Sequence, residues 1–163
     1  MKKNWRVSKK RKPNVDLLFE EGKMKTIYFR KVTGHELDSN SHVNNAVYIN
    51  YLEDARWEGF NDMGAMDMMG KKNIYPVITE TEIKYCRELK MFDEIKVVTK
   101  WDVSSPFIIN THKIIRISDK STICKAKCKL LFIKKNRELI DIPEEIEKLL
   151  LEEKKIVNEI NLG

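Results

Sequence analysis

The stretch Ala46-Val47-Tyr48-Ile49-Asn50-Tyr51-Leu52-Glu53-Asp54-Ala55-Arg56-Trp57-Glu58-Gly59-Phe60 decides the fold. Its apolar residues, Val47, Tyr48, Ile49, Tyr51, Leu52, Ala55, Trp57 and Phe60, cover most of a helix circumference rather than one stripe, which predicts a helix enclosed by other elements. Before it, residues 15–19 are apolar, and in residues 23–31 Thr26, Tyr28 and Arg30 alternate with Ile27 and Phe29, the pattern of a first strand. After it, Gly59, Gly64 and Gly70 break the helical pattern, and four extended segments follow at residues 75–89, 94–103, 107–118 and 122–134. The last sets Cys124, Ala126, Cys128, Leu130 and Phe132 on one face and Lys125, Lys127 and Lys129 on the other, so one face is buried and the other wet. Connections as short as residues 90–93 and 119–121 suit antiparallel neighbours, because parallel strands need a crossover of about a dozen residues. Strand, wrapped helix, four-stranded meander and helix is therefore the expected order.

Asp141, Pro143 and Glu144 ahead of Ile146, Leu149, Leu150, Val157 and Ile160 predict the C-terminal helix. The expected class is α+β: a single domain in which a curled antiparallel sheet of about five strands wraps a long central helix. Residues 1–22 form a basic tail and lead-in, 23–134 the domain and 135–163 a helical extension.

At 163 residues, the chain has room for one core, and 42% hydrophobic with 34% charged residues is enough to build it. No apolar run approaches the ~20 residues of a membrane span. The net charge of +6 is unevenly placed: the first twelve residues hold seven of the 31 basic side chains and none of the 25 acidic ones, leaving 24 against 25, a net of −1. A near-neutral body is not expected to present the broad positive face of a nucleic-acid-binding domain. No hydrophobic segment follows the basic start, so a secretory signal is not expected and a cytoplasmic location is. Cys86, Cys124 and Cys128 form no C-x-x-C pair and have no His at zinc spacing, and so read as reduced core thiols with no metal.

Chemistry concentrates in Asp38-Ser39-Asn40-Ser41-His42-Val43-Asn44-Asn45, directly before the wrapped helix. A helix cap needs one polar side chain. Here a carboxylate, an amide and an imidazole recur at alternate positions, beside backbone amides suited to developing negative charge, an arrangement fit for attack on a carbonyl. His35 and His112 stand apart from other reactive side chains and read as structural, while Glu80 and Glu82 read as solvent-facing. Met63, Met66, Met68 and Met69 either fill core gaps or form the adaptable wall of an acyl pocket.

The run from Asp38 through Asn45 to Tyr48, continuing to Leu52-Glu53, resembles the hotdog-fold thioesterases. The likeness is nearest to the acyl-ACP thioesterases, with their D-x-N-x-H-V-N-N-x-x-Y, and extends to the 4-hydroxybenzoyl-CoA thioesterase family. A second motif of the acyl-ACP branch, Y-R-R-E on the next strand, is similar to Tyr85-Cys86-Arg87-Glu88, where Cys86 replaces the first Arg. The likeness runs over roughly residues 24–134. It implies hydrolysis of an acyl-CoA or acyl-ACP thioester in fatty-acid metabolism, without a cofactor, by Asp38, Asn40, His42 and Glu88. Glu88 or Asp38 would activate water, Asn40 and His42 would orient it, and the amides near Val43 and Asn44 would polarise the carbonyl, while direct attack by Asp38 stays open. Val43, Asn44, Asn45 and Tyr48 of the motif are the expected substrate-binding residues, with Met63 and Met66 joining them if the methionine group forms the pocket wall. A homodimer or dimer-based tetramer is implied as well, because a single hotdog leaves sheet edges unpaired. Two other functions remain at this stage. One is an acyl-thioester hydratase or dehydratase, whose D-x-N-P-x-H spacing differs by one residue from Asp38-to-His42; the other is a non-catalytic acyl-CoA-binding module.

Overall fold

The computed structural model describes residues 15–20 and 23–151. The basic tail, Val157 and Ile160 lie outside the described residues. In chain order the elements are β1 (Val15–Glu20), β2 (Lys23–Lys31), α1 (Asn45–Asp62), α2 (Ala65–Lys72), β3 (Ile74–Tyr85), β4 (Glu94–Ser104), β5 (Phe107–Arg116), β6 (Thr122–Lys134), β7 (Leu139–Ile140) and α3 (Glu144–Leu151). All strand pairs are antiparallel, in the order β1-β2-β4-β5-β6-β3, with the short β7 on β6. The sheet curls around α1, the arrangement the resemblance implies. One more long strand is present than the five expected, because residues 15–20 pair with β2 in register Val15↔Tyr28 to Glu20↔Lys23.

Two expectations about connectivity are corrected. The last four long strands are not a meander: only β4-β5-β6 is, and β3 leaves α2 to pair with β6 at the far edge. The chain must then pass β6 and β5 to reach β4 beside β2. The strand expected to run to residue 89 accordingly stops at Tyr85, where the amides of Cys86 and Arg87 both turn onto the Ile123 carbonyl, at 2.8 and 3.1 Å. Glu88 lies on this crossing segment and not on a strand.

α1 is buried at Tyr48, Tyr51, Leu52, Ala55, Arg56, Gly59 and Phe60. Two apolar clusters hold it. One gathers Tyr28, Val97, Ile114, Cys124 and Leu52 at the helix start; the other gathers Met24, Trp101, Ile108, Phe132 and Phe60 at its end, with Ile146 and Leu150 of α3. Between them, three strands carry buried polar side chains: Thr26 on β2, Thr99 on β4, and Asn110 and His112 on β5, with Arg56 buried on the helix. His112 contacts Thr99 Oγ1 at 2.8 Å and Arg56 Nη1 at 3.4 Å, and Arg56 also donates to Cys128 Sγ at 3.5 Å. Hydrogen bonds offset the cost of desolvating Arg56, His112, Thr99 and Thr26, whereas both side-chain polar atoms of Asn110 are buried without a partner among the described residues. At Gly59, α1 comes so near the sheet that an added Cβ would lie 2.8 Å from Trp101 Cζ2.

Cys124 and Cys128 are core thiols as expected, but Cys86 is exposed because it lies where the chain leaves the sheet. The near-neutral body also conceals a segregation of charge: Lys84, Lys100, Lys113, Lys125 and Lys127 all line the outer face of the sheet. No helix among the described residues is long and apolar enough to cross a membrane.

Candidate active site

The loop before α1 is closed by backbone bonds. Leu37 and Val43 form a bridge, Asp38 N–H donates to the His42 carbonyl at 2.8 Å, and Ser41, at φ 61°, returns its N–H to the Asp38 carbonyl at 3.1 Å. The Asp38 carboxylate organises the same turn: one oxygen accepts from Asn40 N–H at 2.8 Å and from His42 N–H at 3.4 Å. Val43 N–H donates to the Leu89 carbonyl at 2.9 Å, tying the loop to the segment that crosses from β3 to β4. That tie brings His42 Nε2 to 3.6 Å from Glu88 Oε1, which Lys90 Nζ also approaches at 4.0 Å. Both partners remain open to solvent, their side chains 37% and 56% exposed.

The expected carbonyl-polarising role of the Val43 and Asn44 amides does not fit this geometry. Val43 N–H is spent on Leu89, and Asn44 N–H donates to the Glu36 carbonyl at 2.9 Å. The Asn44 side chain caps α1 by accepting from Ala46 N–H at 2.9 Å, and Val47 N–H returns to the Asn44 carbonyl. Among the described residues, Asn45 N–H is left without a partner at this helix end, where the helix dipole favours negative charge. The Asn45 carbonyl accepts from the Tyr85 hydroxyl at 3.0 Å.

Tyr48 lies beneath the loop, 3% exposed, edge-on to Tyr85 and Tyr51. Burial pushes its hydroxyl up to about 12, although a backbone hydrogen bond from Leu89 works the other way. Asp38, Asn40, His42, Val43, Asn44, Asn45, Tyr48 and Glu88 are thus brought to one end of α1. Met63 and Met66 are not: eighteen residues of helix at 1.5 Å each put Met63 about 27 Å along the axis from Asn45. Met63 is buried there in the second apolar cluster, and Met66 is exposed on α2. His112 sits in the polar belt, its ring pushed down to about 3 by burial and by Arg56, so it is neutral at ordinary pH. Glu80 faces solvent and pairs with Lys129 at 2.8 Å.

Sequence reasoning missed the support under the loop. Glu36, 4% exposed, accepts from Arg30, from Thr33 N–H at 2.8 Å and from the Tyr51 hydroxyl at 2.8 Å. Arg30 also reaches Asp54 at 3.0 Å. Because the Glu36 carbonyl receives Asn44 N–H, this buried carboxylate fixes where α1 begins. The signal for it was the T-x-x-E spacing of Thr33 and Glu36, a capping box. Beside Glu88 opens a polar depression of about 470 Å³, lined by Arg87, Lys90, Asp93 and Arg116 among others.

A wrapped helix whose N-terminus faces an imidazole and a carboxylate on a neighbouring segment defines a class as well as a site. The chain matches the Thioesterase-like superfamily over residues 32–150 and belongs to it. It is 36% identical over 70 residues to the long-chain acyl-CoA thioesterase FadM of Escherichia coli, a match covering 43% of this chain and 53% of that one. It is 28% identical over 118 residues to the chloroplastic acyl-acyl carrier protein thioesterase ATL3 of Arabidopsis thaliana, covering 71% and 62%. The chain thus spans less than two thirds of the length of the curated relatives it matches. The crystal structure of YbaW, a probable thioesterase from Escherichia coli, superposes with a TM-score of 0.69 at 25% identity, over 76% of this chain and 94% of that one.

Proposed function

We propose that the protein hydrolyses an acyl thioester, with Glu88 as the base that activates water and His42 orienting it. The observation that carries this reading is the 3.6 Å approach of His42 Nε2 to an exposed Glu88 carboxylate at the start of α1. Of the two carboxylates, Glu88 is the better base, since Asp38 already accepts two backbone amides and serves to shape the loop. Water held between Glu88 and His42 gives its proton to Glu88 as it attacks the thioester carbonyl. The developing oxyanion is met by Asn45 N–H at the positive end of the helix. The tetrahedral species then collapses, the C–S bond breaks, and the proton passes to the departing thiolate. Asn40, exposed at the loop tip, reaches toward the bound carbonyl or water, and Val43, Asn44 and Tyr48 keep that geometry.

The substrate in this reading is an acyl-CoA or acyl-ACP of fatty-acid metabolism, a choice supported by what the two curated relatives are named for. The basic residues lining the depression beside Glu88 suit the phosphorylated end of either carrier. The protein acts as a homodimer, or a tetramer built from two such dimers, in the cytoplasm. The twelve-residue β3 forms one open sheet edge, and Ile49, Trp57, Tyr75, Ile78 and Tyr85 expose apolar surface on α1 and β3. All three cysteines are free, as a reducing compartment would keep them. Residues 23–134 carry the catalytic unit in this reading, with β1 and α3 completing its sheet and core.

The test is thiol release from a panel of acyl-CoA and acyl-ACP substrates, with thermal unfolding measured alongside. Glu88→Gln should lower turnover by about 10²- to 10⁴-fold and Asn40→Ala by about 10²- to 10³-fold with the fold intact. Glu80→Gln should leave the rate unchanged. Near-wild-type turnover in Glu88→Gln would defeat the mechanism, and a loss confined to Asp38→Asn with the fold intact would make Asp38 the base instead. Altered acyl double bonds without thiol release would favour a hydratase, and binding without turnover a sensing module.

A further inference from the structure

The lysines on the outer face of the sheet take no part in the chemistry proposed for the helix start. They line a trough of about 790 Å³ whose floor includes Val98 and Ile115. Lys84 on β3, Lys125 on β6 and Lys113 on β5 stand directly opposite one another, so three ammonium groups occupy consecutive strands about 4.8 Å apart. Like charges in opposed positions destabilise a sheet. Among the described residues, none of these three, nor Lys100 or Lys127, has a carboxylate within salt-bridge distance. Glu82, opposite Lys127, is the one acid lining the trough. A face that needed only solubility would intersperse both signs; this one concentrates positive charge at a cost to the fold.

Charge complementarity therefore calls for an acidic occupant, and the lining narrows its class. It contains no arginine to fork onto phosphate and no exposed aromatic ring to stack on a base. Packing this face on a second copy across a two-fold axis would set lysine rows against lysine rows. An amphipathic helix bearing carboxylates on one side and aliphatic residues on the other satisfies both the lysine rim and the apolar floor. We propose that the outer face of the sheet docks an acidic amphipathic helix of a partner protein, a binding role separate from the thioester site.

The probe is a fluorescein-labelled synthetic peptide helix with Glu along one face and Leu along the other, followed by anisotropy against the full-length protein. A scrambled peptide of the same composition, a single-stranded oligonucleotide and phosphatidylglycerol vesicles serve as competitors. The amphipathic peptide should bind in preference to all three, and more weakly as salt rises. Lys125→Glu should weaken it about tenfold and the Lys113→Glu, Lys125→Glu double variant about a hundredfold. Lys71→Glu on α2 should change it less than about twofold. Thiol release should be unaffected. The charge-reversed variants should melt no lower than wild type, since they relieve opposed lysines; a lower Tm would make the lysines structural and overturn the proposal. So would equal binding of the scrambled peptide, tighter binding of oligonucleotide or vesicles, unchanged affinity in the double variant, or a change in the protein's mass in solution on charge reversal.

Discussion

Replacing Glu36 with alanine should cost the fold about 3–4 kcal/mol, from bonds that can be valued one at a time. The Tyr51 hydroxyl, in a fully buried side chain, loses its only acceptor. A hydrogen bond to a charged group contributes about 1.5–3 kcal/mol, and a hydroxyl left unpaired in the interior carries most of that as a penalty. Arg30 keeps Asp54 and is 26% exposed, so the lost ion pair adds only about 1 kcal/mol. Thr33 N–H lies at an exposed residue and turns to water at little cost. The total is a large share of the roughly 5–15 kcal/mol that holds a domain together. Glu36→Gln keeps an acceptor for Tyr51 and should cost about half as much. Guanidinium titration of wild type, Glu36→Gln, Tyr51→Phe and the double variant should give a coupling above about 1 kcal/mol. A loss under about 1 kcal/mol in Glu36→Ala, or strict additivity in the cycle, would refute the reasoning.

The same residue sets an acid limit. Burial alone raises the Glu36 carboxyl, but the bonds from Thr33, Tyr51 and Arg30 outweigh it and hold it below the ordinary range. The unfolded chain therefore binds this proton more readily. The stabilisation is complete above about pH 4.3 and is lost as pH falls through the lower folded value, a slope that Glu36→Gln should flatten.

Three further outcomes follow from the packing. Gly59→Ala gains about 1 kcal/mol of helix propensity but forces a Cβ against Trp101, which is held by Thr26 at 3.0 Å and by the edge of Phe60. A net loss of about 1–2 kcal/mol is expected in the unfolding midpoint, and an unchanged midpoint would mean that the indole moves aside. Both side-chain polar atoms of Asn110 are buried without a partner, so Asn110→Leu should be neutral or stabilising by about 1 kcal/mol in calorimetry; a marked loss would reveal a bond to buried water. The His112 ring, depressed to about 3, should show no imidazole titration by NMR between pH 8 and 5. The unfolded chain takes up that proton near pH 6.5, so this contribution to stability is present above pH 6.5 and declines as pH falls toward 3. Titration of the folded ring near pH 6.5 would contradict the burial described.

Patterning made the enclosed helix and the alternation of β6 readable, because burial on all sides and on one side leave different periods. It could not give strand order, since Ile74–Tyr85 reads the same whether its neighbour is β4 or β6. The grouping of Asp38, Asn40, His42 and Glu88 came from motifs. Their spacing did not show that the Val43 and Asn44 amides are consumed in closing the loop, which depends on carbonyls of Leu89 and Glu36. Glu36 was illegible as a buried acid because its partners, Arg30 and Tyr51, lie on other elements. The lysine trough vanished in the net charge, which sums over faces that the fold keeps apart.

The polar belt across the middle of α1 divides the interior into two lobes, and that division bears on how the protein can evolve. Side chains at Phe132, Ile108 and Met63 repack with one another, whereas Leu52, Ile114 and Cys124 answer to a different set of neighbours. Arg56, His112 and Thr99 fix the helix to the sheet between them by directional bonds that do not slide when one lobe changes volume. Substitutions accumulated in the distal lobe can therefore drift or be selected without displacing His42 relative to Glu88. The belt works as a firebreak, letting one end of the molecule explore sequence while the reactive end keeps its geometry.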